Sequence, residues 1–544
     1  MVSSGSATPD RSTRGERGCP SPVDVEPLWL GRTAHPRSGL CLSEATFVEH
    51  SARESNEIHD PDILARARSV IEACASPEEI QQAVLDAVAR NEEWRGRSCV
   101  NLLAPEAPTS PTVRALLSSE VGTRAAEGHI GPLNRWFAGT RHIDEIEALC
   151  VELLKQALSA RYAEHRLVAS MIGNLAVYTA LSEPGDVIMS AAQPVGGHSS
   201  NRTDGPSGVR GLRIVDIPFD PLELEVDLDA FRRLAPLVRP RLVTLGFSMT
   251  LFPFPVREMR EVVDEWGGRI FFDGAHQLGL IAGGQFQDPL REGAAVLTGS
   301  AGKTFSGPQS GVMAWDDPSL TESLGHAVFP VLAATHQVNR VAALAVSAAE
   351  MIAFGRTYMA EIVRNAQRLG AALDRRGVPV LGAHKGYTRT HQVILDVRRF
   401  GGGLEAARRL EQTNIITNKN LIPSDRADAW DRPGGLRLGS IEVTRLGMGE
   451  AEMETIADFI ARVLVEQVPL SRSPATWPTS GVHFRRSTIA STTPRHLSGR
   501  DPPLPEPQRA VCSGKAASGE PHHVCPHRGC GQGQGHASVT RDAV

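Results

Sequence analysis

The chain has 544 residues, 41% of them hydrophobic but only 5% aromatic, and a formal net charge of −5. That length holds two or three domains whose core rests on Ala, Val, Leu and Ile. The charge balance leaves no basic surplus to draw in nucleic acid or a membrane surface, and no run of 18 uninterrupted apolar residues predicts a membrane span.

Residues 1–56 are rich in Ser, Arg, Gly and Pro without periodicity and read as a disordered leader. They contain no apolar export segment, so the eight cysteines are expected as thiols in a reducing, cytoplasmic setting. Residues 57–98 form an N-terminal helical segment with two helical patterns. Ser76 and Pro77 open the second, with Glu78 and Glu79 in its first turn. Across 99–345, apolar runs such as "RLVTLGF", "GGRIFFD" and "AAVLTG" alternate with amphipathic stretches such as "PVREMREVVDEW". That alternation predicts an α/β large domain with a mostly parallel sheet covered on both faces. Residues 346–469 carry a long helical stretch, the strands "HQVILDV" and "GLRLGS", and a closing helix, which together predict a smaller C-terminal α+β domain. Residues 470–544 read as a disordered tail. Cys525 and Cys530, with His522, His523 and His527, match no standard zinc spacing, so no metal is expected.

The stretch "AVLTGSAGKTFSGPQSGVMAW" poses the functional question. "AGKT" resembles the end of a phosphate-binding P-loop, but the motif's first glycine would have to stand at Leu297. Gly307 and Pro308 would also stop the helix that a P-loop must feed. Lys303 is therefore read as a reactive amine. Asp273 closes an apolar strand about thirty residues earlier, with His276 in the following turn, and Lys303 follows the next strand. Carboxyl ends of strands are where an open α/β sheet binds ligands. An acid, a histidine and a lysine converging there suit pyridoxal phosphate. A lysine amine takes its aldehyde, a buried Asp keeps its pyridine nitrogen protonated, and a helix start takes its phosphate. Ser170 and Met171 open a small-residue helix fit for that last role. Taken singly, each residue has an ordinary reading as a strand-end cap, a loop histidine or a surface charge.

The segments "FFDGAHQLGLIAGG", "GKTFSGPQSG", "TNIITNKNLIPSD", "GGLRLGSIEVTRLG", "NLLAPEAPTSPTV" and "AVYTALSEPGDVIM" resemble serine hydroxymethyltransferases, members of the fold-type-I pyridoxal-phosphate enzymes, over roughly residues 100–465. The resemblance implies that Lys303 carries the cofactor and Asp273 pairs with its ring nitrogen. His276 and Ser248 would contact its phenolic oxygen side. Ser170 and Met171 would hold phosphate, and Ser300 matches a family threonine. Arg437 would grip the substrate carboxylate, and Glu127 would handle the substrate's hydroxyl proton. It further implies a homodimer acting on an amino acid, with an aldehyde or tetrahydrofolate as one-carbon acceptor.

Several positions depart from the family pattern. Gly302 stands for a histidine and Gln309 for an arginine, while Ala125 and Phe137 stand for tyrosines. Val195 aligns with the histidine that stacks on the cofactor, although His198 remains nearby. "VLAATHQ" replaces a glycine-rich loop, with His336 expected to face the site. The reading is an enzyme making or breaking the Cα–Cβ bond of a β-hydroxy-α-amino acid. Its alternatives are a threonine transaldolase of a specialised pathway and a non-catalytic dimeric scaffold.

Overall fold

The computed structural model describes residues 58–466. The expected leader and tail, with Cys525, Cys530 and their neighbouring histidines, lie outside the described residues.

Two helices, α1 (Pro61–Ala73) and α2 (Pro77–Glu93), open the described chain. Ser76 caps α2 by accepting from the Glu79 amide at 3.3 Å, and Pro77 follows in the first turn, where its missing N–H costs nothing. Next in chain order come α3 (Arg141–Ala157), β1 (Tyr162–Glu164), α4 (Ser170–Leu181), β2 (Val187–Ser190) and β3 (Arg213–Asp216). They are followed by β4 (Leu242–Leu245), β5 (Arg269–Asp273), β6 (Val296–Ser300) and β7 (Gly311–Trp315).

These seven strands form one sheet in the order β1-β7-β6-β5-β4-β2-β3. Strands β3, β2, β4, β5 and β6 run parallel, as the buried apolar runs predicted, and β7 and β1 are antiparallel at one edge. Both faces are covered. Phe271 and Phe272 are each 0% exposed and point to opposite sides of β5. Phe271 packs with Val177 and Tyr178 of α4, and Phe272 with Met259 and Leu245. Burial of each such ring contributes about 1.5–3 kcal/mol.

The 38-residue helix α5 (Val338–Arg375) runs from this sheet to a second one. There β8 (Gln392–Asp396), β9 (Asn418–Asn420) and β10 (Gly435–Gly439) pair antiparallel in the order β8-β10-β9. Helix α6 (Glu450–Leu464) closes over its own apolar cluster with Leu369, Leu395 and Leu436. α5 is apolar and long enough to span a bilayer by length alone, but most of its apolar positions are core contacts, Ile352 and Phe354 excepted.

Candidate active site

Strand register brings the first two residues of the site together. Asp273 pairs with Thr298 across β5 and β6, so the carboxyl ends of the two strands lie side by side. Lys303 follows three residues past the end of β6. Both side chains line one cleft together with Ser170, Met171, His198, Ser200, Ser248 and His276. A wider surface groove lies beside Phe252, Lys385 and Arg389, but its lysine is ion-paired to Glu225, leaving no free amine there.

Asp273 is 5% exposed and its carboxylate is fully engaged. Oδ2 accepts from Asn174 Nδ2 at 2.7 Å and Asn201 Nδ2 at 2.9 Å, and Oδ1 accepts from the Ala275 amide at 3.2 Å. Asn174 also accepts from Thr298 Oγ1 at 2.7 Å, so one α4 side chain ties both strand ends to the helix. Gly246 makes the close approach beneath the cleft possible. Its φ is +84°, and a Cβ there would meet the Asp273 carbonyl oxygen at 2.1 Å.

Lys303 has its pKa brought down to about 8, first by burial; the Asp273 carboxylate works against the fall and the Arg437 guanidinium adds to it. His276 is 3% exposed and held well below the usual imidazole range by burial, then by Lys303 and Arg437. It stacks on His391 with ring centroids 5.7 Å apart, and its Nδ1 has no partner. Ser248 Oγ lies 3.5 Å from His276 Nε2 and accepts from Arg437 Nη1 at 2.8 Å. Arg437, on the central strand of the smaller sheet, thereby reaches the edge of the cleft. Burial brings its pKa down to about 10, and its described partners, Ser248 and Asn418, are all neutral.

The residues present fit pyridoxal phosphate. A lysine of lowered pKa and an aspartate fixed by two amides share one cleft, the twelve-residue helix α4 opens onto it, and His276 Nδ1 is a buried polar atom with nothing to bond.

Ser170, Met171, Ser248, Asp273, His276 and Lys303 thus come together at the cleft. Ser300 is buried at the end of β6 and is not on the cleft wall. Glu127 is not there either: its Oε1 accepts from Thr335 Oγ1 at 2.6 Å, away from Lys303. Val195 packs against the main core, while His198 lines the cleft; between them Gly196 and Gly197 approach the Met249 and Ala191 carbonyls where no Cβ fits. One expectation is corrected: His336 is 2% exposed and bonded to Glu147, so it does not face the cleft. At Gly302, a Cβ would meet the Gln309 carboxamide at 2.7 Å, so the two departures occupy one space.

Asn174, Asn201 and Ser200 escaped the sequence reading. Asn174 had a signal, since it stands four residues after Ser170 on the same helix face. Asn201 and Ser200 had none, because a single 3₁₀ turn, too short to leave a periodic pattern, delivers them.

A family model described as serine hydroxymethyltransferase matches residues 78–460. A serine hydroxymethyltransferase of Methanocella arvoryzae is 44% identical over 74% of this chain and 94% of its own length. Those of Methanopyrus kandleri and Archaeoglobus fulgidus are 45% and 43% identical, covering 70% and 68% of this chain and 89% and 84% of their own lengths.

Proposed function

The chain belongs to the serine hydroxymethyltransferase family, and on that premise we propose how its own residues carry the reaction. The enzyme is a pyridoxal-phosphate-dependent transferase of the fold-type-I class that interconverts serine and glycine. The comparisons favour neither the threonine transaldolase nor the non-catalytic scaffold.

The observation that carries the assignment of residues is the shared cleft of Lys303 and Asp273, with the un-neutralised Arg437 guanidinium at its edge. Bound pyridoxal phosphate supplies the electron sink for cleavage at the substrate Cα. Lys303 would hold its aldehyde carbon, Asp273 the proton on its ring nitrogen, and His198 would pack on its ring. The Ser170 hydroxyl and the first amides of α4 would take its phosphate. Arg437 offers the substrate carboxylate a planar fork, which orients the Cα–Cβ bond. Glu127 takes the proton of the substrate hydroxyl and returns it in the reverse direction. Tetrahydrofolate receives the one-carbon unit.

In this reading the enzyme is a homodimer and a second copy delivers Glu127. Two observations support it. Glu127 is absent from its own chain's cleft. Leu133, Trp136 and Phe137, just beyond it, are 96%, 66% and 45% exposed. Large apolar side chains exposed together mark an association surface. The setting is cytoplasmic, in keeping with the free thiols of Cys74, Cys99 and Cys150.

Complementation tests this directly. Lys303→Ala and Glu127→Gln chains are each expected to be inactive with serine and tetrahydrofolate. Mixed dimers of the two hold one intact site if Glu127 crosses the interface, so activity returns. Mixtures as inactive as either parent overturn the shared site.

A further inference from the structure

Behind the Glu127 segment lies a buried polar network centred on Glu147 of α3, whose side chain is 1% exposed. Its Oε2 takes Arg135 Nη2 at 2.8 Å and lies 3.2 Å from His165 Nε2; its Oε1 accepts from His336 Nε2 at 2.7 Å. Burial pushes this carboxyl up, but the close approach of His165 and the hydrogen bond from His336 outweigh burial and hold it well below the usual range. The network reaches Glu127 by two arms. Arg135 Nη1 donates to the Ala126 carbonyl at 2.7 Å, next to Glu127 in the chain. His336 follows Thr335, whose hydroxyl donates to the Glu127 carboxylate at 2.6 Å. One buried carboxylate therefore anchors both the backbone before Glu127 and the loop that holds its side chain. The neighbouring Gly128 carbonyl accepts from Arg166 Nη1 at 3.1 Å, and Arg166 is itself paired with Glu164.

Glu147, His165 and His336 also have the composition of a metal site. Both carboxylate oxygens are already engaged, one of them by a guanidinium that would repel a bound cation. The cluster is better suited to fixing a loop than to holding an ion.

We propose that Thr335 and His336 are positioning residues for Glu127: His336 pins its loop to Glu147, and the Thr335 hydroxyl sets the orientation of the Glu127 carboxylate. This rests on the reading of Glu127 as the group that handles the hydroxyl proton.

The test uses the full-length holoenzyme with serine and tetrahydrofolate. Thr335 is exposed, so Thr335→Val removes the hydroxyl at little risk to folding. It is expected to lower kcat about five- to tenfold, the net worth of one solvent-exposed hydrogen bond, with serine KM changed less than about twofold. Thr335→Ser should restore kcat. His336→Ala should reproduce the loss, and His336→Gln, which can still donate to Glu147, should recover part of it. In a Glu127→Gln background, Thr335→Val should change nothing further. The proposal is overturned if Thr335→Val leaves kcat intact while Glu127→Gln is impaired. A multiplicative loss in the double variant also overturns it, as does a divalent metal bound stoichiometrically and lost in His336→Ala. Full activity in Glu127→Gln removes the premise, and the proposal with it.

Discussion

Arg437 donates from a single nitrogen to both the carbonyl and the hydroxyl of Ser248, each at 2.8 Å. No carboxylate among the described residues forms an ion pair with it. A buried guanidinium resting on neutral acceptors is costly unless an anion arrives, and the substrate carboxylate is that anion. Replacing Arg437 with Ala should raise serine KM by about a hundredfold or more, as expected for a lost charge-assisted contact. The absorbance of the Lys303-bound cofactor should survive. Steady-state kinetics beside a spectrum decide it, and an unchanged KM would assign the carboxylate to another residue.

Asp273 takes two amide donors on one oxygen, from Asn174 at 2.7 Å and Asn201 at 2.9 Å. Asn174→Ala removes one and should weaken cofactor binding about tenfold. Asn174→Asp has the same shape but sets a second carboxylate against the first, and one of the pair must then hold a proton. Its loss should be about a further tenfold or more, read by titrating cofactor into cofactor-free protein. Equal effects from the two variants would show that charge at Asp273 does not matter.

Lys303 reacts with an aldehyde only as the neutral amine. With its pKa near 8, cofactor capture should speed up as pH rises and level off just above about 8. An unperturbed lysine would still be accelerating at pH 10. Burial is the main cause and Arg437 a smaller one, so Arg437→Ala should move the plateau to higher pH. Stopped-flow absorbance across pH measures it, and a rate still climbing past pH 10 would contradict the placement of this amine.

Glu442 lies partly buried where the N-terminal segment meets the smaller sheet, accepting from Asn101 Nδ2 at 2.7 Å. Burial pushes its carboxyl up to about 7, Asn101 opposes this, and Glu106 adds to it. The folded state thus keeps a proton that the unfolded chain releases near pH 4.5. Stability from this group is full below that pH and declines as pH rises towards 7. Glu442→Gln keeps the acceptor and removes the charge. It should be stabilising by about 1–3 kcal/mol at pH 8 and nearly neutral at pH 4.5. Urea unfolding at both pH values checks the difference, and a variant equally shifted at both would rule out titration as the cause.

The sequence by itself determined the alternation of buried strands and helices, the helix starts at Ser76–Pro77 and Ser170, and the placing of Asp273 and Lys303 at neighbouring strand ends. These follow from local periodicity, capping and chain order, which a linear pattern records. Resemblance along some two-thirds of the chain then supplied the cofactor and reaction class. The tertiary structure decided how the site is completed. Asn201 and Ser200 come from a single 3₁₀ turn, and Arg437, named by resemblance, is delivered from another sheet. His198 rather than Val195 faces the cleft, and between them two glycines approach carbonyl oxygens where no Cβ fits. His336 turned inward because Glu147, 189 residues away in sequence, offered a buried carboxylate. Contacts of that separation depend on how elements pack, and no local pattern encodes them.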